Sequence, residues 1–543
     1  AEYASDAIDA VEQHRSSLST PQLRAFFLAQ RQDYYAHLIS TLIELQEKDE
    51  ASRQTHLKQA LNYSERSRAR SLVDLINEAR LAGFENSLDN ERDTLLKELV
   101  EARYKLTRKS TNALPQSEVE TARRRLTEVE NELNLLDIEL REDNAAYADL
   151  VDPAIQDAVG IQAMLDPDSA LLQYALGSEK SFVFLVTPDS MRTWPLPGKS
   201  QLEREARVIY EKLRVPSTSR EDRDQLRIQI DTFARRVLPP SDALPTQRLL
   251  VVADGVLQYL PFSVLLAAND GDGSTSTLSR HEVVNVPSMS VLAVQRKNRG
   301  NHKVPDKTVA IFADPVFTTR DRRVSGSLED TPNAGTAVVS RQSLDLSEPP
   351  DLERLPATKY EAETIAGLVN PEALSVHTGF AANRDSVLGS RLNDYRVVHF
   401  ATHGKIDSRY PALSWLAFSQ VDPKGIKQNG LVRLHDIYNL DLNADLVTMS
   451  ACDTALGREI AGEALTGLVQ GFMYSGARSV MASLWQVPDR ATAELMGLFY
   501  RNLFELEQKP AAALRNAQVE LSSKTRFRHP YYWSAFVLQG DWE

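Results

Sequence analysis

The sequence predicts an α/β protein that is preceded by an all-α region. The first 150 residues contain two prolines and one glycine, and apolar residues recur there at helical spacing. After Pro153 short β-branched strands alternate with helices, which is typical of an α/β fold. The chain of 543 residues has room for about three to four domains.

Two helices are predicted at the start of the chain, at 22–48 and 55–80. Joined by a polar turn, they form one unit of a helical repeat. A single unit cannot bury both of its faces, so we expect it to stack on neighbouring units. We assign residues 1–88 to this helical repeat region.

An antiparallel coiled-coil hairpin is predicted for residues 89–152. On its second helix apolar residues step alternately by three and four positions, which is a seven-residue repeat. Two roles remain open for the hairpin: a strut that packs on the rest of the chain, or an arm that binds a partner. The seam consists of Val119, Ala122, Leu126, Val129, Leu133, Leu136 and Leu140.

Two α/β segments follow, at 153–300 and 301–543. Some of the apolar runs in the second segment show little alternation, as expected for buried parallel strands. The segment 318–350 has no periodicity, which is typical of a functional or disordered loop. The predicted strands are 170–175, 182–187, 249–253, 283–286, 308–312, 396–400, 416–418, 445–450 and 479–484. The predicted helical stretches are 201–237, 360–368, 463–476 and 489–505.

The composition narrows the class of function. The net charge of −13 disfavours nucleic-acid binding, which usually requires a basic surface. No stretch reaches the ~18 apolar residues of a membrane helix, so we expect neither nucleic acid nor membrane as a partner. The only cysteine, Cys452, rules out an intrachain disulfide framework and a multi-thiolate zinc site. A reducing, cytoplasmic setting is expected.

Two motifs at predicted strand ends carry the chemistry. Cys452 follows the apolar run 446–450, and His403 follows the run 396–400. Ligand sites in open α/β sheets form beyond the carboxyl ends of the strands, so we expect the two side chains side by side. A neighbouring imidazole lowers the pKa of a thiol and activates it as a nucleophile. The backbone N–H groups of Gly404 and Cys452 would then bind an oxyanion.

The same residues are also compatible with purely structural roles. Cys452 taken alone is compatible with a buried core cysteine. His399 and His403 stand four apart, like zinc ligands on a helix, but the strand pattern and Gly404 argue against a helix. We therefore predict no metal and no cofactor, and expect His399 to be a packed or sheet-facing residue. Neither a phosphate-binding loop nor a Gly-x-Ser-x-Gly elbow occurs.

Several stretches together form a pattern, in which the two motifs around His403 and Cys452 are specific and the helical stretch is much less so. They are His-Phe-Ala-Thr-His-Gly at 399–404, Ser-Ala-Cys-Asp-Thr-Ala at 450–455, Gly-Glu-Ala at 462–464, Ala-Ser-Leu-Trp-Gln-Val-Pro-Asp at 482–489, His-Pro-Tyr-Tyr-Trp-Ser-Ala-Phe at 529–536 and Ser-Glu-Arg-Ser-Arg-Ala-Arg-Ser-Leu at 64–72. The pattern resembles the CHAT family, caspase-like cysteine peptidases found with tetratricopeptide repeats. Cys452 follows His403 by 49 residues, close to the spacing of about 50 in caspases.

The resemblance implies a clan that includes caspases and separase. In that clan the cysteine is the nucleophile and the histidine is the general acid/base. Carried over by motif, Cys452 attacks the scissile carbonyl and His403 protonates the leaving amine. The resemblance further implies that 153–300 is a degenerate caspase-like lobe, that 301–543 is the active lobe, and that 1–88 is a tetratricopeptide-like region.

Three acidic residues are candidates for the substrate pocket. Asp489 follows the strand end at 484–485, where the clan builds the wall of its S1 pocket, and an acid there would favour Arg or Lys at P1. The alternative is that Asp489 caps the helix 490–505. Asp453 and Glu463 are weaker pocket candidates, and Glu463 would also suit the start of a helix.

The resemblance also implies partners. We expect one dedicated protein substrate, for example a bacterial gasdermin or another defence effector, and an activating partner that binds the helical repeats. The loop 318–350 would either shield the site or be cut itself. The competing hypothesis is a catalytically silent scaffold or adaptor that binds partners through the helical repeats.

Overall fold

The computed structural model of the chain describes most of the α/β region and parts of the N-terminal region. Most of the predicted coiled-coil hairpin 89–152 lies outside the described residues, as do Cys452, Asp453 and Glu463. The described residues are 2–16, 24, 27–48, 50–68, 72, 95, 98, 120–121, 123–129, 131–132, 155–217, 219–244, 247–269, 281–299, 304–324, 352–406, 414–450 and 467–542.

Helices make up the described part of the N-terminal region and flank the strands of the α/β region. Within the part of the chain that the structure describes, none of them combines the length and the hydropathy that a membrane span requires. They are α1 (Glu2–Ser16), α2 (Gln32–Lys48), α3 (Arg53–Arg66), α4 (Ala158–Met164), α5 (Lys199–Leu213), α6 (Arg220–Val237), α7 (Phe262–Asn269), α8 (Met289–Arg299), α9 (Ala357–Ala366), α10 (Arg384–Gly389), α11 (Leu434–Tyr438), α12 (Leu468–Tyr474), α13 (Asp489–Phe504), α14 (Pro510–Ser523) and α15 (Pro530–Trp533).

The strands confirm the predicted α/β class. They are β1 (Ser169–Ala175), β2 (Lys180–Val186), β3 (Met191–Pro197), β4 (Arg248–Val252), β5 (Glu282–Asn285), β6 (Lys307–Ala313), β7 (Leu374–Thr378), β8 (Tyr395–Ala401), β9 (His403–Lys405), β10 (Trp415–Ala417), β11 (Leu431–Arg433), β12 (Leu446–Ser450), β13 (Ser479–Ser483) and β14 (Phe536–Gly540). Among the described residues, eleven of these strands form one sheet in the order β3-β2-β1-β4-β5-β14-β13-β12-β8-β6-β7, and β11-β10-β9 form a smaller one.

The large sheet consists of two halves. Strands β1 to β5 come from the first α/β segment, and β6 to β8 with β12 to β14 come from the second. The halves meet where β14 runs parallel to β5, with Gln539 opposite Asn285. The Asn285 side-chain amide also donates to the Leu538 carbonyl oxygen at 3.4 Å. The predicted domain boundary near residue 300 stays a prediction.

The described N-terminal helices pack through apolar side chains. Leu38 and Leu42 of α2 and Leu57 and Leu61 of α3 are all buried. The helix predicted for 55–80 is interrupted, because α3 ends at Arg66 and the chain turns at 67–68; Leu72 is helical again, and 73–80 lie outside the described residues. Likewise the helix predicted for 22–48 is interrupted by a turn at 30–31, between the helical residues 27–29 and α2.

Other elements depart from the sequence prediction. The helical stretch 201–237 is two helices, α5 and α6, since Pro216 between them cannot continue a helix. Strand β3 contains Pro195 and Pro197, which disfavour a strand, but it lies at the edge of the sheet, where proline is tolerated. Strand β14 and helix α14 were not predicted.

Candidate active site

The candidate active site lies at the carboxyl ends of β8 and β12. The two strands are parallel, and their final residues, Ala401 and Ser450, pair with each other. The predicted pairing of these strands is therefore confirmed. In the sequence His403 follows Ala401 by two residues, and Cys452 follows Ser450 by two residues.

His403 is held by contacts on several sides. Its side chain is 8% exposed, and its ring centroid lies 5.2 Å from that of Phe317. Its Nε2 lies 2.7 Å from the backbone carbonyl oxygen of Glu353. A carbonyl oxygen only accepts, so Nε2 carries the proton, and in the neutral ring Nδ1 holds the lone pair. Burial lowers the pKa of His403, which favours this neutral form.

The backbone at His403 belongs to the smaller sheet. His403 begins strand β9 and pairs with Ala417 of β10, and Gly404 pairs with Leu416. The Thr402 hydroxyl donates to the Ala417 carbonyl oxygen and secures the turn between β8 and β9. The oxyanion role of the Gly404 N–H stays a prediction.

Asp489 lies at the start of α13 but does not cap it. Pro488 occupies the cap position, so the alternative in which Asp489 caps its own helix is wrong. Asp489 Oδ2 instead accepts a hydrogen bond from the Ala357 N–H, at the start of α9, at 2.7 Å. Burial, together with the negative charges of Glu361 and Asp314, raises the pKa of Asp489 to about 6. Its role in a substrate pocket stays a prediction.

His399 is fully buried in β8, as expected of a packed residue. The Tyr500 hydroxyl donates to Thr448 Oγ1 at 3.0 Å, so its oxygen accepts from His399 Nδ1, 2.9 Å away. His399 Nε2 lies 2.9 Å from Glu361 Oε1. These contacts join β8 to α13, β12 and α9. No sequence pattern marked Glu361.

The sequence analysis missed a charged cluster that adjoins His403. Asp314 follows β6 directly and forms ion pairs with Arg323 and Arg354. Arg354 is next in sequence to Glu353, whose carbonyl oxygen contacts His403. The position of Asp314 at a strand end was the available signal, because such ends carry ligand sites in α/β sheets.

A second strand end, in the first half of the sheet, is also polar. Asp254 follows β4 by two residues, and its Oδ1 lies 2.9 Å from Arg68 Nη1. Asp254 Oδ2 accepts a hydrogen bond from the Leu176 N–H at 2.7 Å. Arg68, which is 5% exposed, also donates to the Tyr174 carbonyl oxygen. The residues just after α3 are thereby attached to this half of the sheet.

Glu65 forms a second attachment of the helical region. It is fully buried, and its Oε1 accepts hydrogen bonds from the Ser290 N–H at 2.6 Å and the Ser290 hydroxyl at 2.8 Å. Ser290 lies in the first turn of α8, where backbone N–H groups lack partners within the helix. Burial raises the pKa of Glu65.

The two halves of the sheet also touch beside the candidate pocket. The Tyr210 hydroxyl of α5 donates to the Leu484 carbonyl oxygen, directly after β13, at 3.2 Å. Its ring packs edge-on against Trp485, with 6.2 Å between centroids. The Trp485 indole N–H donates to the Tyr531 carbonyl oxygen at 3.0 Å. The segment that leads to Asp489 is therefore supported by both halves.

Comparison with known proteins defines the family. Residues 224–541 match the family model described as "CHAT domain", so the chain belongs to the CHAT domain family. This confirms the family that the motifs resemble.

Curated relatives include tetratricopeptide repeat protein 28 of Homo sapiens, 25% identical over 326 residues, which are 54% of this chain and 12% of that protein. The protein of the same name from Mus musculus is 25% identical over 327 residues, with the same shares. The chain thus matches only about an eighth of the length of these relatives.

Two solved structures are similar over longer stretches. The Saccharomyces cerevisiae separase–securin complex has a TM-score of 0.43 at 10% identity, with 95% of this chain and 40% of that chain covered. The Arg-specific cysteine proteinase gingipain R has a TM-score of 0.35 at 8% identity, with 63% of this chain and 74% of that chain covered.

Proposed function

We propose that the chain is a cysteine endopeptidase in which Cys452 is the nucleophile and His403 is the general acid/base. The observation that carries the proposal is the register of β8 and β12, which sets Ala401 beside Ser450. Cys452 comes two residues after the end of β12 in the sequence. His403 lies equally close in sequence to the end of β8.

The state of His403 suits this chemistry. Its neutral ring takes the thiol proton of Cys452 at Nδ1, and the sulfur attacks the scissile carbonyl carbon. The N–H groups of Gly404 and Cys452 stabilise the oxyanion. The C–N bond then breaks as His403 returns the proton to the leaving amine. Water then attacks the thioester carbonyl carbon and gives a proton to His403. The C–S bond breaks, and His403 returns this proton to the sulfur of Cys452.

Asp489 is proposed to select the substrate. An ionised carboxylate near the end of β13 would favour Arg or Lys at P1, because such a group binds a cation by charge-assisted hydrogen bonds. Its Oδ2 already accepts from the Ala357 N–H, which holds the carboxylate in a fixed position. Asp453 and Glu463 remain weaker pocket candidates.

The helical region is proposed to regulate the site by binding an activating partner. The proposal is supported by the buried contacts of Arg68 with Asp254 and of Glu65 with Ser290. Beyond them, Tyr210 connects the first half of the sheet to Leu484. A partner that shifts the helices would bias the populations of idle and competent states. The substrate is proposed to be one dedicated protein, such as a gasdermin-like or other defence effector, in a reducing cytoplasm.

The test is a positional-scanning peptide library applied to the purified chain. We expect cleavage, preferentially after Arg or Lys, and loss of at least about a hundredfold in rate for Cys452→Ala and for His403→Ala. His435→Ala is a matched control, because this histidine is about half exposed and lies on α11. Cleavage that persists in Cys452→Ala would refute the proposal.

The scaffold hypothesis predicts a different outcome. Under it, Cys452 reacts with iodoacetamide at pH 7 no faster than free cysteine, and no peptide or candidate partner is cut. Faster alkylation that depends on His403 supports the peptidase, since a paired imidazole increases the thiolate fraction.

A further inference from the structure

The peptide group that contacts His403 lies in a segment without regular structure. Residues 352–355 precede α9 and belong to no strand. The orientation of the Glu353 carbonyl is therefore not set by a helix or a sheet ladder. Yet its oxygen lies 2.7 Å from His403 Nε2, at normal hydrogen-bond distance. Some other contact must hold this segment in place.

Leu352 packs in an apolar cluster with Phe317 and Ala417, and the side chain of Arg354 adds a polar contact. Arg354 binds the Asp314 carboxylate through two parallel bonds, from Nε to Oδ1 at 2.8 Å and from Nη2 to Oδ2 at 2.9 Å. A bidentate arginine–carboxylate pair fixes orientation as well as distance. Arg323 supports the same carboxylate, with its Nη1 2.8 Å from Oδ2.

Asp314 is well anchored for such a role. Its side chain is 3% exposed, and it follows β6 directly, so its backbone begins at the rigid sheet. It has a positive φ of 49°, which is uncommon outside glycine and concentrates at functional sites. Its N–H donates to Thr358 Oγ1 at 3.1 Å, which ties it to the first turn of α9.

We propose that Asp314 and Arg354 are positioning residues for His403: their ion pair holds the Glu353 carbonyl oxygen at Nε2. The inference rests on the proposed function, in which Nδ1 of His403 must face the thiol. With the carbonyl in place, the proton stays on Nε2 and the lone pair stays on Nδ1. Without it, the ring is free to rotate or to change tautomer.

The first test reads the imidazole directly and needs no substrate. The protein is labelled with ¹⁵N-histidine, and the His403 ring signals are assigned by their loss in His403→Asn. In the wild type we expect a hydrogen-bonded Nε2–H and an unprotonated Nδ1. Asp314→Asn keeps the size of the side chain and tolerates positive φ, but it weakens the bidentate pair. We expect the Nε2–H signal to shift or broaden in this variant.

Asp321→Asn is the matched control. Asp321 belongs to the same cluster, but its ion pair, at 2.7 Å, is with Arg323 and not with Arg354. The His403 ring signals of Asp321→Asn should match those of the wild type. If Asp314→Asn fails to fold, Arg354→Gln decides the question, because Arg354 is about one-quarter exposed. Unchanged His403 signals in a folded Asp314→Asn or Arg354→Gln overturn the inference.

The second test measures kinetics on the best peptide from the library. We expect Asp314→Asn to lower kcat by about tenfold to a hundredfold with KM within about twofold, since misplacing a catalytic group slows chemistry more than binding. Arg354→Lys should retain more activity than Arg354→Gln. A change below about twofold in kcat overturns the inference. If the wild type cleaves nothing, the proposed function fails, and the histidine signals still decide whether the ion pair positions His403.

Discussion

Two strand ends of the same sheet have a similar local sequence, but their polar side chains bind different partners. Asp254 follows β4 by two residues, and His403 follows β8 by two residues, and a glycine comes next in both. At the first end the carboxylate binds Arg68 from beyond α3. At the second end the imidazole binds a backbone carbonyl through one nitrogen.

The two strand ends differ in the hydrogen-bond and ion-pair partners of their polar groups. Asp254 is neutralised by a buried guanidinium and by the Leu176 N–H, so both of its carboxylate oxygens have partners. His403 is buried with an uncharged carbonyl oxygen as its hydrogen-bond partner and stays neutral, which leaves it able to accept a proton. One strand end thus serves as an internal docking site, while the other holds a neutral imidazole, which is the proposed base.

The largest contrast is expected between His403→Ala and Asp254→Ala. Loss of the acid/base should lower kcat by about a hundredfold to ten-thousandfold, whereas Asp254→Ala should leave kcat for a short peptide within about threefold. Initial rates on the best library peptide measure both. Equal losses in the two variants would mean that the strand ends do not differ in role.

The docking role of the first strand end is tested by Arg68→Met. Removing one partner of a buried ion pair costs about 3–5 kcal/mol of the free energy of unfolding, because a buried charge is left unpaired. Urea unfolding measures this loss. In Arg68→Met combined with Asp254→Asn, part of the stability should return.

Arg66→Met is the matched control for this measurement. Arg66 lies two residues earlier and is 26% exposed; it pairs with Asp9, which is 60% exposed, and at 3.8 Å with Glu12, which is 14% exposed, so its loss should cost less than that of Arg68, which is 5% exposed. An equal loss of stability in the two variants would argue against a docking role for Arg68.

A smaller effect is expected from the titration of Asp489. Its pKa is raised to about 6, so the carboxylate ionises as the pH rises through that value. The ratio of kcat/KM for P1 Arg over P1 citrulline, its neutral isostere, should therefore rise by about tenfold between pH 5 and 7. The ratio cancels the contribution of His403, which is common to both substrates.

Asp489→Asn provides the control, since its amide oxygen can still accept from Ala357. In this variant the ratio of kcat/KM for P1 Arg over P1 citrulline should be low and independent of pH. Asp489 contributes a negative slope to the free energy of unfolding between about pH 4 and 6, because its carboxyl keeps its proton in the folded protein and loses it in the unfolded chain. The variant should lose this slope. A wild-type ratio that stays constant with pH would show that Asp489 does not bind the P1 side chain.

The smallest effect is expected where the two halves touch. Tyr210→Phe removes the hydrogen bond to the Leu484 carbonyl oxygen, which contributes about 1 kcal/mol. We expect kcat/KM to fall no more than about fivefold. Tyr3→Phe, at a residue that is 90% exposed, is the control. A loss as large as that in His403→Ala would make the contact between halves part of the chemistry.

Much of the site's framework was predictable from local pattern. The apolar runs ending before His403 and Cys452 predict parallel strands, and β8 and β12 confirm it. The prediction failed where structure depends on distant contacts. The α3 helix ends at Arg66, where a continuous apolar pattern suggested more helix. Just beyond it Arg68 is buried against Asp254, and helical propensity carries no information about such a partner.

The same limit applies to the cluster around Asp314. Arg354 lies 40 residues from Asp314, and Glu353 lies 50 residues from His403, so no periodicity relates them. Arg323 lies within the stretch 318–350, which has no pattern, and Arg354 lies just after it. The pairing of β6 with β8 brings the residues that follow them, Asp314 and His403, to the same edge of the sheet.

The amino-acid sequence by itself determined the α/β class, the family and the two strand ends that carry His403 and Cys452, because short-range apolar patterns and local motifs specify all three. Only the tertiary structure decided which strand end receives Arg68, which carbonyl faces His403, and which helix start Asp489 binds. Those choices depend on long-range packing, in which each buried polar group must find a partner wherever the fold provides one.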